Sequence, residues 1–335
     1  MKKFLKLLVP KSIRNEIGNY ILQVVHNNDA FPNNVNIKVD NQNIRKKLNS
    51  QNILLHHLLP DILIKNEEVE NNLRKFKAEY RISDKLNTNI SKNDVMFHYA
   101  LFHDDNLENS YKHYMMNGLN SFNLVNKLIK HKFGNFSSIN SFLDFASGYG
   151  RLCRFLVLRL EPQKVWVSDI KTKAIEFQQK EFGVNGLASS FKPKNFKPDQ
   201  KFDFIYVGSL FTHLPENIFY QWLQSLFSLL TDKGILAFTA QDVSLYNGEI
   251  QDGFLYFSTS EDTLFTEIDD SLANSDPYGL TYVAEEYVYK QIIKMGLTRQ
   301  NCFRYEKALA RLQDVYVITK EKNVFNNSLD FTNFP

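Results

Sequence analysis
The sequence predicts an α/β fold with a mostly parallel sheet of seven strands, an antiparallel last strand and a mostly helical N-terminal extension. After residue 141, short apolar segments alternate with longer segments of helical periodicity, which is the pattern of repeated βαβ units. A turn that contains glycine separates the first of these strands from its helix. A short connection joins the last two apolar segments, which indicates an antiparallel hairpin.

The predicted elements follow one another in a regular order from Ser141 onward. The strands are Ser141–Phe145, Lys164–Ser168, Leu187–Phe191, Phe202–Gly208, Gly234–Ala240, Thr298–Tyr305 and Leu312–Thr319. The helices between them are Arg151–Leu160, Thr172–Phe182, Glu216–Leu230 and Tyr282–Met295.

We predict three segments along the chain. Residues 1–95 are rich in Asn, Lys and Glu and have helical patterning near their end, so they form the helical extension. Residues 96–322 form the α/β domain, and residues 323–335 form a C-terminal tail. Residues 242–278 are an aromatic and acidic insertion, and a connection of that length usually has a function or a structure of its own.

Composition and charge exclude several classes of protein. The 335 residues are 43% hydrophobic, which is enough for a folded core. Forty Lys and Arg residues against 37 Asp and Glu residues give a formal charge of +3, so we expect no nucleic-acid partner. Cys153 and Cys302 cannot build a disulfide framework, and neither they nor the histidines have the spacing of a metal site. We expect a cytoplasmic protein without a metal.

The N-terminal residues leave two interpretations open. No segment of the sequence reaches the roughly 20 apolar residues of a membrane-spanning helix. Residues 1–25 combine lysines with Phe4, Leu5, Leu7 and Leu8. They are either a basic amphipathic helix on the inner membrane surface or a helix packed on the main domain. The sequence has no signature of an oligomeric state.

The segment Ser141–Arg151, SFLDFASGYGR, carries the clearest functional pattern. A predicted strand containing Asp144 leads through Gly148 and Gly150 into a helix. Glycine permits positive φ angles and close approach of the backbone to a ligand, and a helix start presents oriented N–H groups. Position 153 is Cys where a dinucleotide-binding G-x-G-x-x-G motif has its third glycine, so a nicotinamide cofactor is the second choice.

Asp169 follows the second predicted strand, about 20 residues beyond the glycine turn. A carboxylate there can accept hydrogen bonds from both hydroxyls of a ribose. A helix cap or a turn residue is the alternative for an isolated Asp at a strand end. The glycine turn that precedes it favours the ribose interpretation.

Together these motifs resemble the Rossmann-like class I S-adenosylmethionine-dependent methyltransferases, in particular their bacterial small-molecule and glycan-associated group. The resemblance covers about residues 95–320. It rests on LDFASGYGR at Leu143–Arg151, on Asp169, on FDFIYVGSLFTHLPE at Phe202–Glu216 and on LLTDKGILAFTA at Leu229–Ala240. Ala146 stands where most members have their first glycine, and the usual Pro-Gly-Gly turn before the fifth strand is missing.

The resemblance implies S-adenosylmethionine as the cofactor. Asp144 and the backbone of the glycine turn would hold its methionine part, Asp169 and Ile170 its ribose and adenine, and residues 208–210 would line the pocket near the sulfonium. Tyr114 and Gly118 would form a lid, with helix packing as the alternative for Tyr114. The complete set of implied cofactor residues is Asp144, Ala146, Ser147, Gly148, Tyr149, Gly150, Asp169, Ile170, Gly208, Ser209, Leu210, Tyr114 and Gly118.

His213, at the exit of the fourth strand, is the candidate catalytic base, because a hydroxyl acceptor must lose its proton. The alternative is a structural histidine that orients the following helix start. Asp242, Tyr278 and Tyr282 are further candidates for contacts to the acceptor. The strand exit is Gly-Ser-Leu-Phe and not the Asn/Asp-Pro-Pro-aromatic signature of enzymes that methylate amide or exocyclic base nitrogens. Methylation of such nitrogens is therefore disfavoured.

We therefore expect methyl transfer to a small-molecule or saccharide acceptor, on oxygen. A protein or RNA methyltransferase is one alternative, which a basic face beside the pocket would favour. A non-catalytic scaffold is the other, suggested by Ala146 and the missing Pro-Gly-Gly turn. The acidic residues and glycines of the cofactor motifs argue against the scaffold.

Overall fold
The computed structural model describes residues 67–104, 107–246, 248, 250, 252–258 and 279–331. The expectations for residues 1–66, for Tyr278 and most of the insertion, and for residues 332–335 lie outside these ranges. Within the described ranges, no helix is long and apolar enough to cross a membrane.

The described elements alternate between helices and strands along most of the chain. The α-helices are α1 (Glu67–Glu79), α2 (Val95–His103), α3 (Leu107–Phe133), α4 (Cys153–Leu156), α5 (Thr172–Phe182), α6 (Glu216–Ser228) and α7 (Glu285–Lys294). The strands are β1 (Phe142–Phe145), β2 (Val165–Asp169), β3 (Asn185–Ala188), β4 (Phe202–Val207), β5 (Leu230–Asp242), β6 (Phe254–Ser258), β7 (Gly279–Val283), β8 (Cys302–Leu309) and β9 (Gln313–Thr319).

The strands form one mixed sheet with a parallel centre. Strands β3, β2, β1, β4 and β5 are neighbours in that order, and all of these pairs are parallel. Strand β9 pairs antiparallel with β5, and β8 pairs antiparallel with β9. This arrangement confirms the predicted Rossmann-like fold class. The sheet has nine strands among the described residues, because β6 and β7 join the seven that the sequence predicts.

The β6–β7 hairpin extends the sheet beyond the end of β4. Gln241 of β5 pairs with Tyr282 of β7 and also with Gln313 of β9, so the two partner strands lie on opposite edges of β5. Strand β7 therefore continues the edge that β4 occupies up to Val207. The predicted helix Tyr282–Met295 is wrong at its start, since Tyr282 is in β7 and α7 begins only at Glu285.

Several further element boundaries differ from the predictions; strand β5, for example, extends over Leu230–Asp242 and not Gly234–Ala240. Helix α4 is a single turn, because Leu158 and Arg159 donate to carbonyls three residues earlier and end the α-helical pattern. Strand β3 begins two residues earlier than predicted, since it pairs from Asn185 with Trp166 of β2. Strand β8 begins at Cys302, because the four preceding residues form a short turn that Thr298 caps.

Helices cover both faces of the sheet and enclose two apolar cores. Helices α3, α4 and α5 contribute buried residues such as Leu128, Leu156 and Ile175 to the first core. Helices α6 and α7 contribute residues such as Trp222 and Val288 to the second. The first core also contains Phe325 and Phe331, which belong to the described part of the predicted tail, residues 323–331.

A third cluster joins α1, α2 and α3 to the sheet domain. Leu73, Phe97 and Met115 from the three helices are buried in it together with Phe155 of α4. Asp94 begins α2 by accepting hydrogen bonds from the backbone N–H groups of the first turn. The N-terminal helices are thereby packed beside the turn that follows β1.

Candidate functional site
The turn between β1 and α4 has the backbone geometry that its glycines predict. Gly148 and Gly150 have positive φ angles of 55° and 78°, a region that glycine adopts at little cost. A side chain at Gly150 would come within 2.5 Å of Phe182 Cε2, so this position also needs the space. Ala146 has a φ of 57°, so the residue that replaces the usual first glycine is held in a left-handed conformation.

Gln178 of α5 fixes the same turn from the side. Its Nε2 donates to Ser147 Oγ and to the backbone oxygen of Gly148, both at 2.8 Å. The side chain is fully buried. Gln178 is not among the residues predicted from the sequence, although a polar residue one turn after Ile175 on the apolar face of a helix is a signal for such a role.

Asp144 is a buried carboxylate beneath the turn. Among the described residues, nothing hydrogen-bonds its Oδ2, although that atom is buried. Burial and, to a smaller extent, the nearby Asp169 together raise the pKa of Asp144 to about 8, although Arg151 opposes both effects. A buried carboxylate oxygen without a donor is costly unless a ligand supplies one, and a cationic ammonium group would do so.

Asp169 ties the end of β2 to the turn. Its Oδ2 accepts from the backbone N–H of Gly148 at 2.9 Å, and its Oδ1 accepts from that of Lys171 at 3.0 Å. Burial raises the pKa of Asp169, and these backbone hydrogen bonds oppose the rise. Each oxygen keeps a second lone pair that can accept from a hydroxyl. Ile170, which follows, is 37% exposed, so it offers an apolar surface beside the carboxylate.

Tyr114 and Gly118 of α3 have packing roles in this structure. Tyr114 is 1% exposed, and its hydroxyl donates to Asp94 Oδ2 at 2.6 Å. A side chain at Gly118 would collide with the backbone oxygen of Arg151 and the ring of Phe155, so glycine allows α3 to approach the turn. The lid on the cofactor stays a prediction for both residues.

Arg154 of α4 links the N-terminal helices to the turn. Its Nε donates to the backbone oxygen of Gly150 at 3.2 Å, and its Nη1 donates to those of Asn87 and Asn89 at 3.1 Å. Its Nη2 donates to the hydroxyl of Tyr114 at 3.2 Å. The arginine is completely buried, which no sequence pattern signals.

The exit of β4 is held by a polar network with β5 and β9. Ser209 has a φ of 62°, and its backbone N–H donates to Thr239 Oγ1 at 2.7 Å. Gln313 accepts from Thr239 Oγ1 at 2.6 Å and donates to Ser209 Oγ at 3.1 Å. Residues 208–210 are predicted from the sequence, whereas Thr239 and Gln313 are not, because only the sheet register brings these two beside Ser209.

His213 is oriented by the β6–β7 hairpin. Its Nδ1 lies 2.7 Å from the backbone oxygen of Gly279, the first residue of β7. A carbonyl only accepts, so Nδ1 carries the proton and Nε2 carries the lone pair. Burial lowers the pKa of His213, and the hydrogen bond to Gly279 opposes that shift. The ring is thus neutral in the tautomer that a base needs, while the catalytic role itself stays a prediction.

The further acceptor candidates have different surroundings. Asp242 is bound on both sides, since its Oδ2 accepts from Arg304 Nη2 at 2.9 Å and its Oδ1 from the backbone N–H of Ser244 at 2.8 Å. Tyr282 is half-buried, and its ring centre is 6.0 Å from that of Tyr246. Within the described ranges, no three His, Cys, Asp or Glu side chains are grouped as a metal site.

These features define a class of site. A glycine turn after β1, an acidic residue at the end of β2 and a helix start between them form the nucleotide-binding site of Rossmann-like sheets. Residues 143–236, which extend from β1 into β5, match the family model of a methyltransferase domain.

Comparisons with whole proteins give distant matches. No curated protein matches the sequence. An S-adenosylmethionine-dependent methyltransferase from Clostridium acetobutylicum is 15% identical, with 60% of this chain and 90% of that chain covered and a TM-score of 0.40. The glycopeptide N-methyltransferase MtfA with S-adenosyl-L-homocysteine is 14% identical, with 54% and 82% covered and a TM-score of 0.38. The sugar N-methyltransferase KedS8 from Streptoalloteichus is 11% identical, with 61% and 88% covered and a TM-score of 0.42.

Proposed function
We propose that this protein is an S-adenosylmethionine-dependent methyltransferase that acts on oxygen of a small-molecule or saccharide acceptor. One observation carries the proposal: the buried, unpartnered oxygen of Asp144 lies beside the turn that Asp169 ties down, inside the segment that matches a methyltransferase domain. The two carboxylates differ in their hydrogen bonding: Oδ2 of Asp144 has no donor among the described residues, whereas Asp169 already accepts from backbone N–H groups.

The residues present fit this cofactor. Asp144 would accept from the ammonium group of its methionine part, and the backbone of the glycine turn would lie against the same part. Asp169 would accept from the ribose hydroxyls, with Ile170 against the adenine. When bound, the cofactor supplies a methyl carbon on a positively charged sulfur.

The protein's own contribution is positioning and proton removal. Gln178 and Arg154 hold the turn in one geometry, which is the requirement for a reaction that depends on alignment. Nε2 of His213 would take the proton from the acceptor hydroxyl, because Nδ1 is engaged with Gly279. A base at this position favours an oxygen acceptor. A hydroxyl needs a base to take its proton during the transfer, whereas a neutral amine can attack directly and lose its proton to water afterwards.

The proposal is tested by calorimetric titration of the purified protein with S-adenosylmethionine, S-adenosylhomocysteine and NAD. Asp169→Asn is the test variant, because it keeps the shape of the side chain and removes its charge. Asp199→Asn is the matched control, since Asp199 is exposed and precedes β4, at the end of the parallel strands opposite the turn. Thermal unfolding of both variants verifies that they are folded.

We expect both adenosyl compounds to bind the wild type and the control, and Asp169→Asn to bind them at least about tenfold more weakly. Binding of NAD alone would overturn the proposal in favour of an oxidoreductase. Absence of binding to a folded wild type would favour the non-catalytic scaffold. In a separate assay with labelled S-adenosylmethionine, transfer of the labelled methyl group to protein or RNA would favour a protein or RNA methyltransferase.

A further inference from the structure
The sheet register extends the site from Asp144 to the end of β5. Asp144 pairs with Tyr206, and Tyr206 pairs with Ala237, so their side chains lie on one face of the sheet. Because side chains alternate along a strand, Thr239 and Gln241 lie on the same face as Ala237. The face that carries the proposed cofactor carboxylate therefore continues to Gln241.

Gln241 lies beyond the proposed cofactor residues. Strand β5 is two strand spacings from β1, about 10 Å. Gln241 is four residues past Ala237, which is about 13 Å along the strand. The end of β5 is thus placed for the acceptor and not for the methionine part of the cofactor.

Two glutamines stand side by side there with different hydrogen bonding. Gln241 and Gln313 are direct cross-strand partners. The amide of Gln313 is bonded to Ser209 and Thr239. Oε1 of Gln241 is buried and has no hydrogen-bond partner among the described residues. An amide oxygen in this state is destabilising unless a ligand donates to it.

Aromatic rings lie next to Gln241 on the hairpin side. Tyr282 is its partner on β7 and is half-buried. The ring centre of Tyr246 is 6.0 Å from that of Tyr282 and 5.4 Å from that of Phe257, which is 39% exposed. A hydrogen-bond acceptor beside exposed aromatic surface suits a ligand that has hydroxyl groups on an otherwise apolar ring.

Building on the proposed function, we propose that the acceptor is a saccharide, that a sugar hydroxyl donates to Oε1 of Gln241 and that the sugar ring packs on Tyr282. Both residues are acceptor-binding residues, and His213 is on the loop that the same hairpin orients. The β6–β7 hairpin therefore supplies both the surface for the acceptor and the partner of the candidate base.

The test is saturation-transfer NMR with a mixture of D-glucose, D-galactose, D-glucosamine and L-rhamnose, in the presence of S-adenosylhomocysteine. Gln241→Leu and Tyr282→Leu are the test variants. Gln224→Leu, on the exposed face of α6, is the control for the first, and Tyr282→Phe, which keeps the ring, is the control for the second. Thermal unfolding is measured for all four variants.

We expect at least one sugar to give a signal with the wild type and both controls, and Gln241→Leu and Tyr282→Leu to lose it. Gln241→Leu should unfold at the same or a higher temperature than the wild type, since it removes a buried unpartnered group; a purely structural role would lower that temperature. The inference is overturned if S-adenosylhomocysteine binds but no sugar does, or if the sugar signal survives Gln241→Leu. Loss of S-adenosylhomocysteine binding in the wild type would instead overturn the proposed function.

Discussion

Asp144 combines a cost in stability with a proposed role in binding. Its folded-state pKa of about 8 is above the ordinary value of 3.8, so the folded protein keeps a proton that the unfolded chain releases between these pH values. The unfolded chain binds fewer protons there, and stability falls as the pH rises from about 4 to 8. A residue retained at this cost is expected to serve a ligand.

We predict that Asp144→Asn stabilises the protein and weakens cofactor binding. At pH 8 its free energy of unfolding should exceed that of the wild type by at least about 1 kcal/mol, because one pKa unit corresponds to about 1.4 kcal/mol. Denaturant unfolding at pH 5 and pH 8 measures the difference, which should shrink at pH 5. A variant that is less stable at pH 8, or that binds S-adenosylmethionine as well as wild type, would contradict the assignment.

His213 gives a second prediction with the opposite pH dependence. Burial lowers its pKa below the ordinary 6.5, so the unfolded chain takes up the proton first as the pH falls, and the stability present above pH 6.5 is lost below it. His213→Gln, whose amide can still donate to Gly279, should reduce this acid-induced loss. With an acceptor, it should lower kcat about 100-fold or more and change KM little. If kcat is unchanged in this variant, His213 is not the catalytic base and has only a structural role.

At the scale of elements, the close approach of α3 to the glycine turn depends on Gly118. Ala would normally stabilise the middle of a helix by about 1 kcal/mol over Gly. A methyl group here would instead meet the backbone oxygen of Arg151, which cannot move without shifting the turn. The helix and the turn therefore behave as one packed unit.

We predict that Gly118→Ala lowers the free energy of unfolding by about 1–3 kcal/mol and weakens S-adenosylhomocysteine binding. Gly134→Ala is the control for glycine replacement near the same helix, since nothing lies within 4 Å of a side chain there and only its φ of 80° opposes the change. Chemical denaturation and calorimetry measure the two effects. If both variants bind equally well, the packing of α3 has no influence on the turn.

At the scale of the whole molecule, Arg154 connects the N-terminal helices to the sheet. One guanidinium bonds the turn through Gly150, the chain before α2 through Asn87 and Asn89, and α3 through Tyr114. The helices before β1 are therefore part of the structure that supports the site.

We predict that Arg154→Met destabilises the protein by about 3 kcal/mol or more, because the buried carbonyl of Gly150 and the part-buried carbonyls of Asn87 and Asn89 lose their donor together. Hydrogen exchange should increase both around residues 87–97 and in the turn at residues 146–150. Protection that changes in only one of these segments would show that they are not coupled through Arg154. Lys132→Met is a control that removes a cation of α3 far from the turn, next to Glu321.

The sequence by itself determined the order of the central elements and the position of the glycine turn. Alternating apolar segments, Gly148, Gly150 and Asp169 are local features, and the chemistry they predict depends on residues within one strand–turn–helix unit. The turn geometry and the parallel pairing of strands β1 to β5 agree with that prediction. Local patterns suffice there because consecutive βαβ units place their own strand ends side by side.

Only the tertiary structure decided which distant residues complete the site. Gln313 meets Ser209 across 104 positions of the sequence, and Gly279 meets His213 across 66. Arg154 has the sequence context of an ordinary helix residue, and only its position on the apolar face of α5 marks Gln178, yet both are buried against the turn. Strand register and helix packing bring these groups together, and neither is encoded in the spacing of any one segment. The sequence could therefore predict the cofactor turn, while the pairing of β5 with β7 and β9 revealed the surface proposed for the acceptor.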